Sequence, residues 1–400
     1  MDVVIIGAGP SGLMCAIEAS KNGHNVIILE KNEKAGKKIY ITGKGRCNVT
    51  NNCEVNEFMK NVPHNNKFLY SALNTFKPGD TIRFFEENGV PLVTERGNRV
   101  FPKSYKASDI TRCLLKKCQE YGVKIFYHAN VNKIEKNKGF VIHYNNLKLN
   151  ADKLVIATGG KSYPSTGSTG DGYDFAKSFG HEITELRPSL CALKVKDQVS
   201  YDAHGLILKN VALHAYNDKI NYVNEGEMFF DKGLIDGPIV LKTSSLINKE
   251  DNINLFIDLK IGLSSEKLDE RLIKDFSTSP NSTLKEELSS LIPSQIISDF
   301  IKRINISPLT KLNQITKVQR EKIVSYLKNY KLEYLGLNSF DRAIITRGGI
   351  SIKEINPKTF ESKLVSDLYF IGEILDVDAF TGGFNMQIAF STGYSCGKSI

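Results

Sequence analysis

Gly7, Gly9 and Gly12 stand in a Gly-x-Gly-x-x-Gly spacing directly after the apolar run Val3 to Ile6, and Glu30 closes a second apolar run, Val26 to Leu29. These residue types in this order suit one task, holding a dinucleotide by its pyrophosphate. Gly7 permits a tight turn, Gly9 lets the backbone approach phosphate oxygens, and Gly12 allows the following helix to pack closely on the strand. The N–H groups that open this helix, around Pro10 and Ser11, are aimed at the anion, and Lys37 or Lys38 can add positive field. Glu30 lies 18 positions after Gly12, where a carboxylate accepts hydrogen bonds from adenosine ribose hydroxyls, with Lys31 beside it.

A second strand-to-glycine transition, KLVIATGG from Lys153 to Gly160, carries Thr158, Gly159 and Gly160. Such a strand end separates two-dinucleotide-binding flavoproteins from simple dehydrogenases, because its glycines let backbone pass close to FAD. A flavin that accepts hydride at N5 gathers negative charge near N1 and the C2 carbonyl, and a helix N-terminus can stabilise that charge. Gly382, Gly383, Phe384, Asn385 and Met386 open the last helix and can supply those N–H donors. Asp376 and Asp378, just upstream, are candidates for ribityl hydroxyls or, more plainly, loop caps.

The elements that must position these groups follow from patterning. The spacing predicts a βαβ unit over residues 3–30, then a Gly/Lys-rich segment, Ala35 to Asn52, too polar for a strand or core helix. Helical patterns occupy Lys67 to Leu73, Pro78 to Asn88 and Ser108 to Tyr121, and short strands fall near Pro91 to Thr94, Arg99 to Phe101 and Val123 to Tyr127. Alternation from Val131 to Leu149, with Lys138 and Gly139 at a turn, predicts antiparallel strands. The expected architecture is an α/β, Rossmann-like two-dinucleotide-binding FAD domain made of residues 1–188 and 336–400. Residues 189–335 form an inserted cover or substrate domain, barrel-like β over about 189–260 and helical over about 261–335.

Composition narrows the class. A chain of 400 residues, 41% hydrophobic, can bury a substantial core. The formal charge of +9 suits anionic ligands such as FAD or NADPH, but it is spread between apolar positions without a long basic run, so no nucleic-acid partner is expected. Seven cysteines at irregular spacing give neither a disulfide framework nor a zinc site, which points to the reducing cytoplasm. No metal motif, nucleophile elbow or P-loop is present, and no stretch is long and apolar enough for a membrane span. His181 reads as structural.

Four segments together resemble the BaiN-like FAD-dependent oxidoreductases, a bacterial NAD(P)/FAD flavoprotein family that includes aminoacetone oxidases. They are the N-terminal glycines, TGKGRCNVTN from Thr42 to Asn51, ATGGKSYPSTGSTGDGYDFAKSFGH from Ala157 to His181, and GEILDVDAFTGGFNMQIAFSTG from Gly372 to Gly393. The resemblance implies noncovalent, extended FAD with the inserted domain over the flavin ring. It places Thr42, Gly43, Gly45, Arg46, Cys47 and Asn48 along the flavin, Arg46 and Asn48 as donors, Asp376 at the ribityl chain, Gly372 and Glu373 among the cofactor-binding residues, and backbone near Val131 at the adenine. Phe380 and Phe384 depart from the relatives, which altered the expected wall beside the ring.

Arg46, Cys47 and Asn48 are the candidate catalytic groups, although the flavin itself carries the chemistry. Cys47 and Cys53 form Cys-x5-Cys, one residue longer than the pair of disulfide reductases of this fold, and thiol redox chemistry is an open alternative. The expected activity is an FAD-dependent oxidoreductase acting on a small molecule, reduced by transiently bound NAD(P)H and reoxidised by an organic acceptor or oxygen. Two alternatives stand beside it: an amine or aminoketone oxidase working without nicotinamide, and a flavin module serving RNA modification or assembly.

Overall fold

A computed structural model describes residues 1–400 except 249 and 251, and the side chain of residue 44. The chain divides into two compact units, one of Met1–Pro188 with Phe340–Ile400 and one of Ser189–Ser339.

The first unit is built on a parallel sheet. Strand β1 (Asp2–Ile6) lies at its centre, buried from Val3 onward, so both faces of the run are apolar as a doubly covered strand requires. It pairs with β2 (Asn25–Leu29) on one side and with Lys153–Ile156 on the other, and Lys124–Phe126 and Leu368–Phe370 complete the edges. Helix α1 (Pro10–Lys21) starts with proline in its first turn, where the missing N–H costs nothing. The final helix, Phe384–Ser399, lies on α1. Gly393 and Gly397 allow this: a methyl on either would lie 2.3 or 2.4 Å from the carbonyl oxygen of Ser11 or Cys15. Two small antiparallel sheets flank the parallel one, Val131–Lys136 with Phe140–Tyr144 and Leu147–Ala151, and Thr50–Asn51 with Arg99–Pro102 and Leu92–Glu95. The Thr50–Asn51 pairing corrects the expectation that Ala35 to Asn52 holds no strand. Two residues need no apolar pattern when both are buried against a neighbour that supplies the ladder.

The second unit carries a seven-stranded antiparallel sheet. Its two edge strands, Tyr330–Leu332 and Tyr334–Leu337, are separated by Glu333 alone, so the sheet curls until its first and last members adjoin, the barrel-like form expected. These strands correct the all-helical reading of 261–335, and the chain re-enters the first unit at Phe340 rather than 336. Helix Pro238–Leu246 likewise sits within the stretch read as β. Helices Ser265–Thr278, Leu284–Leu291, Ser294–Ile304 and Lys317–Lys328 bury one face each, with Leu268, Leu272, Leu288, Phe300 and Leu327 in a shared core with the sheet. Three of them are capped by Ser264, Thr283 and Thr316 side chains that accept from the N3 backbone N–H.

Candidate functional site

One cavity in the first unit runs along the carboxyl ends of the parallel strands, where ligands bind in open α/β sheets. Gly7 turns the chain out of β1 at φ +105°, and a Cβ there would lie 2.6 Å from the Ala157 carbonyl oxygen. Gly12 does not line the cavity. A methyl at Gly12 would meet the Gly7 carbonyl oxygen at 2.1 Å, so its role is the close approach of α1 to the turn. Gly9 lines the cavity and a Cβ on it would meet no atom within 4 Å. The backbone N–H groups of Gly9, Ser11 and Gly12 have no partner among the described residues, and Leu13 is the first to bond back to Gly9. A bound anion would satisfy them.

Glu30 is buried at the end of β2 and lines the cavity. Its Oε2 accepts from the Ala8 N–H at 2.8 Å, and its Oε1 from the Asn32 N–H at 2.9 Å and Asn32 Nδ2 at 2.7 Å. The carboxylate is therefore fixed by backbone before any ligand arrives, with lone pairs remaining on both oxygens. Lys31 lines the same region but pairs with Asp171 at 2.7 Å. Burial disfavours the Asp171 charge, yet the hydrogen bonds from Lys31 and Thr169 hold its carboxyl below the usual range. Val131 lines the cavity with Ala129 and Asn130.

Lys37 and Lys38 both reach the cavity wall but are not free cations. Lys37 lies 3.2 Å from Glu33, and Lys38 donates to Glu373 and to Ser162 Oγ, each at 2.7 Å. Glu373 also accepts from Ser162 Oγ and the Thr346 N–H. Thr158 and Gly159 line the cavity, and the Thr158 Oγ1 is buried with no hydrogen-bond partner. A buried hydroxyl left in this way is stabilised by a polar ligand atom beside it. Gly160 and Gly372 lie behind the wall. A Cβ on them would meet Thr346 Oγ1 at 2.5 Å and Ser11 Oγ at 2.6 Å, so both glycines serve packing.

At the far end, Asn385, Met386, Ile388 and Ala389 of the final helix form the wall. The N–H groups of Phe384, Asn385 and Met386 have no partner among the described residues. The Asn385 side chain closes a ring on the Ala379 backbone, accepting at 3.0 Å and donating at 2.7 Å, which fixes the loop before the helix. Phe384 turns away from the cavity and packs edge-on against Phe58, centroids 5.0 Å apart, so its departure from the relatives does not reach the wall.

Several of the expected contact residues stand off the cavity wall. Asp376 and Asp378 do not line the cavity: the Asp376 carbonyl accepts from Asn65 Nδ2 and the Asp378 carboxylate meets His64 Nδ1 at 3.0 Å. Of the Thr42–Asn48 segment only Thr42 lines it. Gly43 and Gly45 take positive φ in a 3-10 turn, Ile39–Gly45, and Arg46 pairs with Glu95 at 3.3 Å over the Phe101 ring. Asn48, with its amide oriented toward the Val100 and Thr50 carbonyls, accepts from the Gly383 N–H at 2.9 Å. The Gly382 carbonyl accepts from Asn51 Nδ2 at 3.0 Å, so Gly382 and Gly383 anchor the helix rather than face the cavity. Cys47 is buried and burial pushes its thiol up to about 12, while burial and nearby Glu57 push Cys53 to about 11. Neither is a thiolate at neutral pH, so the structure opposes a redox pair. Asn32, Gly167, Ser168 and Asp171 line the cavity without having been singled out: Asn32 lies outside the motifs, and the Ala157 to His181 segment was read for its glycine strand end and not residue by residue.

The cradle accordingly offers anion donors at one end, a carboxylate for ribose hydroxyls beside it, an orphaned buried hydroxyl along its length and a second set of helix N–H donors at the other end. That donor set fits FAD. The sequence matches the HI0933-like protein Rossmann domain family over residues 1–399, and the chain belongs to that family. It is an FAD-dependent oxidoreductase. It is 31% identical to 3-dehydro-bile acid delta(4,6)-reductase of Clostridium scindens over 99% of this chain and 98% of that protein. It is 32% identical to ribosomal RNA dihydrouridine synthase of Haemophilus influenzae, again over 99% and 98%. The fold is shared with 3-ketosteroid delta1-dehydrogenase from Sterolibacterium denitrificans, at TM-score 0.53, 11% identity and coverage of 100% and 99%. Among the described residues no helix is long and apolar enough to cross a membrane, and no cluster of potential metal ligands occurs.

Proposed function

We propose that the chain is an FAD-dependent reductase of a carbon–carbon double bond conjugated to a carbonyl, with NAD(P)H as the electron donor. FAD supplies hydride chemistry when bound. Gly9 and Ser11 N–H groups bind its diphosphate, Glu30 orients the ribose, and the opening N–H groups of the final helix hold the polar edge of the ring. The observation that carries the reading is the final helix: Asn385 and Met386 line the cavity at its N-terminus, their N–H groups without a partner among the described residues and without a side-chain cap, which favours an anionic ring edge there.

The names of these two relatives describe one reaction type. A 3-oxo bile acid with double bonds at positions 4 and 6, and a uracil ring, each present an alkene conjugated to a carbonyl, where hydride adds to the β-carbon and a proton to the α-carbon. The second reading, that the acceptor is a uracil carried by RNA, is favoured by the latter relative. It replaces the expectation of a small-molecule acceptor only if RNA proves to be the substrate.

The test is anaerobic titration of the purified yellow protein with NADH and NADPH, followed by a 3-oxo-4-ene steroid or a uridine-containing RNA. Bleaching by a nicotinamide and recovery of colour by either acceptor is the expected result. A flavin that resists both nicotinamides and is instead bleached by an amine selects the oxidase alternative and ends the proposal.

A further inference from the structure

The first unit holds 33 lysines and arginines against 25 aspartates and glutamates, a net +8 of the chain's +9, whereas Ser189–Ser339 holds 20 against 19. Part of that excess falls on one hairpin, with Arg96 in its tip turn and Lys103 and Lys106 just past its last strand. The hairpin Leu92–Glu95 and Arg99–Pro102, with the turn that follows it, presents Arg96, Lys103 and Lys106, all exposed and with no carboxylate partner among the described residues. The nearby acids are already engaged. Glu95 is shared by Arg46 at 3.3 Å and Arg99 at 3.7 Å and accepts from the Tyr105 hydroxyl, while Asp109 accepts from Ser104 and lies 3.6 Å from Arg112. Tyr105 is 42% exposed, and the Arg46 guanidinium lies 5.6 Å from its ring centroid and 4.5 Å from that of Phe101.

Unpaired cations beside an exposed, cation-braced aromatic ring match the two needs of a single-stranded polynucleotide, phosphate neutralisation and a stacking platform. The patch is tied to the cavity through a short piece of chain. Ile39 and Thr42 line the cavity, Gly43 lies against the Phe101 ring, and Arg46 ends the same turn on the patch. We infer that Arg96, Lys103, Lys106 and Tyr105 form a docking surface for single-stranded RNA. The inference rests on the uracil arm of the proposed function and names the surface that would carry that substrate.

The experiment compares the intact holoprotein with the triple variant R96Q/K103Q/K106Q, and separately with Y105A, using a uridine-rich 20-nucleotide single-stranded RNA. Bleaching by nicotinamide is measured on every preparation and is expected to be unchanged, since none of these residues lines the cavity. Three phosphate contacts give a salt dependence that weakens wild-type binding about twentyfold between 50 and 200 mM salt. The triple variant loses that component, and Tyr105→Ala weakens binding at all salt concentrations. Equal RNA binding by the triple variant overturns this surface while leaving the reductase intact. Failure of the wild type to hold RNA, or retention on anionic lipid vesicles with no retention of RNA, also overturns the inference. Failure of nicotinamide bleaching alone strikes the reductase reading and leaves the RNA result standing.

Discussion

The Asn48 side-chain oxygen, Oδ1, accepts from the Gly383 N–H at 2.9 Å, joining the polar turn after Ile39–Gly45 to the final helix. Asn48 is thus a fastener of the cavity's far wall. Asn48→Ala leaves that donor and the Thr50 carbonyl short of a partner, a loss of about 1–3 kcal/mol in unfolding free energy. Urea denaturation and bound-flavin absorbance should fall together. An unchanged midpoint with full flavin content refutes the assignment.

The two glycines of the first turn should fail differently. Gly9→Ala adds a methyl that touches no protein atom at a φ of −78°, open to alanine, so thermal unfolding stays near wild type while FAD is lost because the methyl occupies the phosphate approach. Gly12→Ala drives a methyl into the Gly7 carbonyl oxygen at 2.1 Å and should lower stability by about 3 kcal/mol or more, the scale of severe overpacking. Equal behaviour of the two variants in calorimetry and flavin titration contradicts this division.

A thiol pushed to about 12 is ionised in about one molecule in ten thousand at pH 8. Native protein treated with iodoacetamide at that pH should leave Cys47 unmodified, and Cys53→Ser should bleach with nicotinamide as the wild type does. Rapid labelling of Cys47 in the folded state, read by peptide mass spectrometry, would restore the thiol hypothesis.

His181 is enclosed between Glu354, 2.9 Å from Nδ1, and Ser362, 2.8 Å from Nε2. The Leu364 and Val365 N–H groups already donate to Ser362 Oγ, which therefore gives its own proton to Nε2, leaving Nδ1–H to donate to Glu354 and a neutral ring. Burial lowers the histidine's proton affinity, with Glu354 opposing. A folded pKa below the unfolded value means the stabilisation is full above the unfolded pKa and is lost as pH falls toward and through the folded one. The melting temperature should drop between pH 7 and pH 5, less steeply in His181→Gln. A steeper drop in the variant contradicts the sign.

Local chemistry was legible and long-range convergence was not. Gly7, Glu30 and the Val3 to Ile6 run declare their roles within thirty residues, because a turn, a strand and an N-terminus are properties of neighbours along the chain. The final helix was readable for the same reason. Arg46 and Asp378 misled: their types suit a ligand, but Glu95 and His64, brought from 49 and 314 positions away, claimed them. Thr50 and Asn51 form a strand only because Val100 and Arg99 lie opposite. The positive patch lies within residues 96–106, but its unpaired state was not legible, because which cations lack a carboxylate is settled by side chains such as Arg46, which reaches Glu95 from far along the chain.

Gly393 and Gly397, seated on the backbone of α1, impose an order on biosynthesis. The Gly7–Gly12 turn leaves the ribosome long before the helix Phe384–Ser399 that supports it. The Ser189–Ser339 unit has its own core and can fold meanwhile. Cofactor capture then waits on the synthesis of that helix, and a chain stalled before Phe384 would expose the α1 seam to chaperones.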